Sequence, residues 1–515
     1  MSAAAPAGAG RAQLSVAAWL TGMAGTALVS LAGFFATPYL VRWLGGARWG
    51  AWEVVGEWLG YLGLTQMALG PGALTIFLLR ARTQGEARAL TAMAKRGLRL
   101  YAYAALALAP AALALAWFAP RGLHAAPGLA PELRLAVAIA ALGSLALTPP
   151  LVFRGVLEAA QRAYRVRLAL AAQSLLITGL SLWWVARGLG LAGMAAATIA
   201  GMTVSAALWR AWARRYLPEW RTTPAARLGG GELWRANWPL LAAMAGNQIN
   251  LLTDNTIVGL TLGAGAVAGF ALTQTLPLLA GSKLADIGAV SWAALGELRA
   301  QGARAFGERM IELAAAVLGL SVAGMATVAA FTPAFVRLWV GASYYDGAGL
   351  VAATAAGMAA YGFLCFFSWL FDTQGDTRQR LRVSSLGAAL NLGLSLWWVR
   401  VWGVAGVAAA TLAAYLCTDA WYLPRLAARR YGVPGGALAR GLARAAAPAA
   451  LWAAAMMALA AKLPPAAHWP ALLAEMAAAG AGCLLYCWAL VLRGADRAAW
   501  RGRWRAWRAT ARGRA

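Results

Sequence analysis

Apolar runs of roughly 20 residues recur along the whole chain. Each is about the length an α-helix needs to cross a hydrocarbon core of about 30 Å. Fourteen can be read, at 14–40, 50–79, 97–119, 133–157, 166–186, 188–209, 237–262, 265–290, 310–332, 347–371, 383–400, 402–423, 444–462 and 469–492. Composition leaves little room for another class: 61% of residues are hydrophobic and 12% charged, against about 45–50% and about 25% in soluble domains. The expected fold is all-α, a polytopic membrane protein of about 14 transmembrane helices. Pro71, Pro110, Pro149, Pro150 and Pro277 fall inside runs and predict kinks there.

The formal charge of +27 would fit a nucleic-acid partner if the basic residues formed one surface. They do not. With the N-terminus in the cytoplasm, 37 of the 45 Lys and Arg residues fall in segments on the inside and 8 on the outside. That alternation obeys the positive-inside rule and supports both the span count and cytoplasmic N- and C-termini. The charge is therefore a topology signal, and no nucleic-acid partner is expected. The Arg/Trp-rich tail, residues 493–515, reads as a basic cytoplasmic anchor with Trp at headgroup depth. The first apolar run is longer than a signal-peptide core and reads as an uncleaved first span. Cys365, Cys417, Cys483 and Cys487 lie in apolar runs without CxxC spacing, and His124 and His468 are far apart. These read as small buried hydrophobes and loop residues, with no metal site or disulfide framework.

One stretch occurs twice. "SLWWVARGLGLAGMAAAT" starts at Ser181 and "SLWWVRVWGVAGVAAAT" at Ser395. Each copy ends one run and leads into the next, and the copies stand six runs apart, so both face the same way across the membrane. Two six-helix bundles related by a pseudo-two-fold along the membrane normal are expected, with two helices appended. Val41 and Val258 open weakly similar stretches at the start of each half. The expected organisation is an N-terminal bundle over 1–209, a cytoplasmic linker with a short surface helix over 210–236, a second bundle over 237–424, two further helices over 425–492, and the tail. Like bundles of this kind work by rocking about a central cavity, opening it to one side and then the other.

Polar residues inside apolar helices are costly and mark function by default. Glu53, Glu57, Tyr61 and Thr65 step by four along the second run, and Asn247, Asn250 and Asp254 share one helical face of the seventh. The first run carries Thr26, Ser30 and Thr37; Gln274 stands beside Pro277 in the eighth; Ser384, Asn391 and Ser395 mark the eleventh. Glu53, Glu57, Tyr61, Asn247, Asn250, Asp254 and Gln274 are the expected cavity and coupling residues. A carboxylate here would bind a coupling proton or sodium ion. The competing reading is an interfacial carboxylate paired with Arg42 or Arg48, and it weighs most for Glu53.

The segment "TPYLVRWLGGARWGAWEVVGEWLGYLGLTQMALGPGALTIFLLRA", Thr37 to Ala81, resembles the opening signature of Wzx-like polysaccharide flippases of the multidrug/oligosaccharidyl-lipid/polysaccharide superfamily. "TDNTIVGLTLGAGAVAGFALTQTL" from Thr253 is similar to the opening of their second half, and "FVRLWVGASYYDGAG" from Phe335 to an outside loop. The resemblance implies a flippase that carries a polyprenyl-pyrophosphate-linked oligosaccharide across the bacterial cytoplasmic membrane. Its partners would be that lipid-linked oligosaccharide, membrane lipids, and polysaccharide polymerase or assembly proteins. Arg42, Arg48, Arg80 and Arg154 would meet the substrate phosphates at either mouth, although loop anchoring and snorkelling account for any one of them equally well. A cation-coupled multidrug exporter and a lipid II flippase are the alternatives. A membrane glycosyltransferase or polymerase would need a large outside loop or a loop-borne acidic motif, and the outside segments are all short. No enzyme is expected.

Overall fold

A computed structural model describes residues 8–69, 78–79, 87–226, 231, 253–372, 377–462 and 465–492, with scattered residues up to 505. Among these residues it is almost entirely helical and holds no strand. The first unit contains α1 (Gly8–Leu44), α2 (Gly46–Leu69), α3 (Ala87–Gly122), α4 (Ala130–Ala146), α5 (Leu151–Ala159), α6 (Ala163–Ala186) and α7 (Gly190–Ala213). Then come α8 (Asp254–Leu262), α9 (Ala264–Gln301), α10 (Ala303–Trp339), α11 (Ala348–Asp372), α12 (Thr377–Trp402), α13 (Val404–Cys417), α14 (Asp419–Tyr431), α15 (Gly435–Lys462) and α16 (Trp469–Tyr486). The chain divides into two compact units, one of residues 1–248 with 258–268, the other of 249–257 with 269–515.

Ten helices among the described residues are long and apolar enough to cross a membrane, or 11 if α4 and α5 are one broken span. These occupy the positions of 11 of the 14 runs. Two more runs are helices α2 and α12, which are lengthy but carry Arg48, Glu53 and Glu57, or Asn391 and Arg400. The remaining run, 237–262, lies mostly outside the described residues. Large apolar side chains stand on the exterior, among them Leu106, Trp117, Leu451 and Leu485. A soluble protein could not present so many of them to water, whereas hydrocarbon accepts them. The protein is a multi-pass membrane protein.

Pro149 and Pro150 break a span, as expected. They separate α4 from α5, and the two helices meet at 45°. Neither proline can donate a backbone hydrogen bond, so the ladder stops there. Pro110 and Pro277 sit inside the continuous helices α3 and α9, and Pro71 lies outside the described residues.

The repeated stretch forms a helix hairpin in each unit, α6–α7 in the first and α12–α13 in the second. Its Ala-Gly pair has a steric reason. A Cβ on Gly193 would come within 3.0 Å of Trp184 Cβ, and one on Gly406 within 2.3 Å of the Trp398 carbonyl oxygen. Only glycine lets the second helix lie this close to the second tryptophan of the first.

One expectation is corrected. The segment 291–309 between the eighth and ninth runs is no loop: α9 runs to Gln301, α10 begins at Ala303, and Gly302 alone joins them at φ 144°. Alanine, glutamate and arginine are good helix formers in water, so the helices continue past the apolar run. Most of the rest of the linker, where the expected surface helix could lie, is outside the described residues, and its described start holds a 3-10 turn, Arg214–Tyr216, followed by turns. This segment is tied to the start of α3, where Lys95 Nζ donates to Thr223 O (2.6 Å) and Thr91 Oγ1 to Pro218 O (3.0 Å).

Each unit has its own core. In the first, Tyr101, Val152, Phe153, Leu157 and Trp209 gather where α3, α5 and α7 meet. In the second, Phe306, Phe363, Phe367, Phe371 and Tyr431 pack as an aromatic cluster with edge-on ring contacts. The cysteines are uneven: Cys483 and Cys487 are buried and Cys365 half-buried, but Cys417 is exposed, contrary to its reading as a buried hydrophobe.

Candidate functional site

The second unit gathers polar side chains inside its apolar helices. Asp254 opens α8. Its Oδ2 lies 3.4 Å from the hydroxyl of Thr411 on α13. The same hydroxyl is 3.1 Å from Asn391 Oδ1 on α12, and Ser395, one turn further along α12, donates to that Oδ1 at 3.2 Å. Asn391 and Ser395 are fully buried. The Val407 carbonyl, 3.4 Å from Thr411 Oγ1, completes the group.

Counting donors shows what the cluster lacks. A threonine hydroxyl has one hydrogen, yet Thr411 faces three acceptors: a carboxylate, an amide oxygen and a backbone carbonyl. Asp254 Oδ1 is buried with no hydrogen-bond partner among the described residues. A buried oxygen left so is costly. Among the described residues the arrangement is rich in oxygen and short of positive charge, the donor chemistry that suits a proton or a hard cation. Asp254, Asn391 and Thr411 are the residues able to hold one.

Gln274 of α9 is buried in the same unit, and its Nε2 has no partner among the described residues. In the first unit α2 holds the other acidic stripe. Glu57 is buried at 5% exposure beside Val54, Val55 and Trp58, while Glu53 and Tyr61 are half-buried. Asn247, Asn250, Arg80 and the side chain of Thr65 lie outside the described residues.

Two of the arginines expected at the substrate phosphates have ion-pair partners within the first unit. Arg48 Nε pairs with Glu132 Oε2 of α4 at 2.8 Å, so the interfacial partner for Glu53 is not Arg48. Glu132 Oε1 also accepts the Leu191 amide at 2.7 Å, where an anion is favoured by the N-terminus of α7. Arg48 and Glu132 thus link α2, α4 and α7. Arg154 pairs with Glu158 one turn on, at 2.8 Å. Arg42 is exposed.

Sequence reasoning marked Asp254 but left out its partners. Asn391 and Ser395 were visible as a polar stripe, and Thr411 as the last residue of the repeat. Nothing in the spacing joins them to Asp254.

No family model matches the chain, and no curated protein matches it. Solved structures do. A lipid II flippase, MurJ, in an inward closed conformation has a TM-score of 0.67 at 11% identity, covering 92% of this chain and 97% of that one. An inward-facing multidrug resistance MATE family transporter of the MOP superfamily has a TM-score of 0.57 at 16% identity, covering 82% and 94%. A Vibrio cholerae MATE transporter mutant has a TM-score of 0.52 at 16% identity, covering 82% and 98%. At these identities the likeness establishes architecture: the chain has the all-helical fold shared by a lipid flippase and MATE transporters.

Proposed function

We propose that the protein is a flippase that moves a polyprenyl-pyrophosphate-linked oligosaccharide from the inner to the outer leaflet of the bacterial cytoplasmic membrane. The observation that supports the lipid-substrate reading is the closer structural match to the lipid flippase. The lipid flippase structure matches this chain with a TM-score of 0.67 over 92% of its length, against 0.57 over 82% for one MATE transporter and 0.50 over 88% for another. The Thr37–Ala81 signature points to the polysaccharide branch. The sugar and pyrophosphate cross in a polar cavity while the lipid tail stays in hydrocarbon, by alternating access of two like bundles. The termini lie in the cytoplasm, and polysaccharide polymerase or assembly proteins receive the product.

Asp254, with Thr411 and Asn391, is the coupling site. It holds a proton or a sodium ion whose movement down its gradient drives the cycle. Glu57 is the polar counterpart in the first unit. Deleting the gene tests the substrate. Lipid-linked oligosaccharide accumulating on the inner leaflet supports the flippase; unchanged lipid-linked sugar with increased sensitivity to cationic drugs supports the exporter instead. Purified protein in vesicles, with fluorescent lipid-linked oligosaccharide and lipid II as competing cargoes, separates the two flippase readings.

A further inference from the structure

A cavity in the second unit takes no part in the coupling site. About 250 Å³ lies between the end of α10, the end of α15 and the start of α16. Most of its wall is apolar, with Phe331 and Pro333 from α10 and Met456 and Leu459 from α15. Two charged residues of opposite sign also line it, Arg337 and Glu475.

Their positions are unusual for a membrane protein. Arg337 stands in the last turn of α10. Glu475 lies six residues inside α16, about 9 Å along the helix from its first residue at 1.5 Å per residue. Its side chain is exposed on a helix long and apolar enough to span, where an ionised carboxylate needs a partner. Neither residue forms an ion pair among the described residues. The Arg337 guanidinium instead lies over the Tyr345 ring, 5.9 Å from its centroid.

We propose that this cavity binds a phospholipid with an ethanolamine headgroup, its phosphate on Arg337, its primary ammonium on Glu475 and an acyl chain along the apolar wall of α10 and α15. The charges select the occupant. A purely anionic lipid satisfies Arg337 and is repelled by Glu475. A choline headgroup has no N–H to donate to the carboxylate. A polyprenyl pyrophosphate brings several negative oxygens to the same place, so the site is separate from cargo transport. It lies at the end of the unit nearest the α10–α11 loop, the outer leaflet in the proposed orientation.

Native mass spectrometry of the full-length protein, released into an equimolar mixture of phosphatidylethanolamine, phosphatidylcholine and phosphatidylglycerol with identical acyl chains, tests this. Wild type retains phosphatidylethanolamine in preference to either competitor by roughly tenfold, the scale of one charge-assisted contact. Glu475→Gln abolishes the preference over phosphatidylcholine, and Arg337→Gln weakens retention of all three. Equal retention of the three lipids by wild type overturns the proposal, as does an unchanged preference in both variants. Should either variant fail to fold, the wild-type competition decides alone. If wild type holds no lipid and R337E/E475R recovers thermal stability lost in each single variant, the two residues form only a direct ion pair and the proposal fails.

Discussion

The two copies of the repeated hairpin share a backbone plan and differ in polarity. In the second unit, Asn391 stands four residues before Ser395, and across from it Thr411 meets both Asn391 and Asp254. In the first unit, the residue four before Ser181 is Ile177, and Thr198 merely returns its hydroxyl to the Met194 carbonyl at 2.9 Å. The weak alignment of the half starts sets Thr37 against Asp254, and Thr37 likewise bonds back along its own helix, to Gly33 O at 2.8 Å. Two turns lower the pattern reverses. Ser205 bonds to Gln173 at 2.6 Å in the first unit, where the second has Thr418 against Gly387. Duplicated architecture therefore leaves each half free to place its polar atoms at a different depth. Among the described residues, the group proposed as the coupling site has no polar counterpart at that level of the first half.

The largest effect should separate Asp254 from Thr37. Asp254→Ala is expected to reduce transport to background at normal protein level, while Thr37→Ala retains most of it; equal loss in both would remove the asymmetry. Glu57→Ala in the first unit should also abolish surface-polysaccharide export, and wild-type export there would confine function to the second half. Next comes the steric comparison. Gly406→Ala pushes a methyl group against the Trp398 backbone carbonyl and should cost about 1–3 kcal/mol, lowering the thermal midpoint in detergent. Gly193→Ala meets a side-chain carbon at 3.0 Å and should cost less; the reverse order would show that the hairpins are not packed alike.

Thr411→Val keeps shape and removes the hydroxyl. It should weaken the dependence of transport on the ion gradient by roughly tenfold, on the scale of one hydrogen bond to a charged group. Thr198→Val should change it little. The smallest effect concerns the loop between α10 and α11. Burial raises the carboxyl of Asp346 above its ordinary range, so the folded loop holds its proton more tightly than the unfolded chain. Its contribution to stability is present at acid pH and falls as pH rises from the ordinary carboxylate range through the raised value. Asp346→Asn should flatten that part of the stability–pH curve, as followed by thermal unfolding.

Much of the architecture was written in hydropathy, because bilayer thickness imposes one length on every span. Helix ends were less legible. The stretch after Lys283 gains charge yet remains helical to Gln301, and hydropathy detects leaving the membrane rather than leaving the helix. The site divided in the same way. Helical periodicity singled out Glu57 and Asp254, since one face of one helix is a local property. Thr411 lies 157 residues from Asp254, and only tertiary packing brings them together. The ion pair of Arg48 was hidden for the same reason, its partner Glu132 being 84 residues away. The pairing of Arg154 with Glu158 at i+4 was available from spacing alone.

The joint between α9 and α10 carries a mechanical consequence. Helices of 38 and 37 residues measure about 57 and 55 Å at 1.5 Å per residue, nearly double the hydrocarbon thickness, and a lone glycine turns one into the other. One residue inserted within α10 would swing every side chain beyond it by about 100° about the helix axis, whereas one added at the glycine lengthens only the link, so the facing of α10 is sensitive to length along the helix and not at its corner.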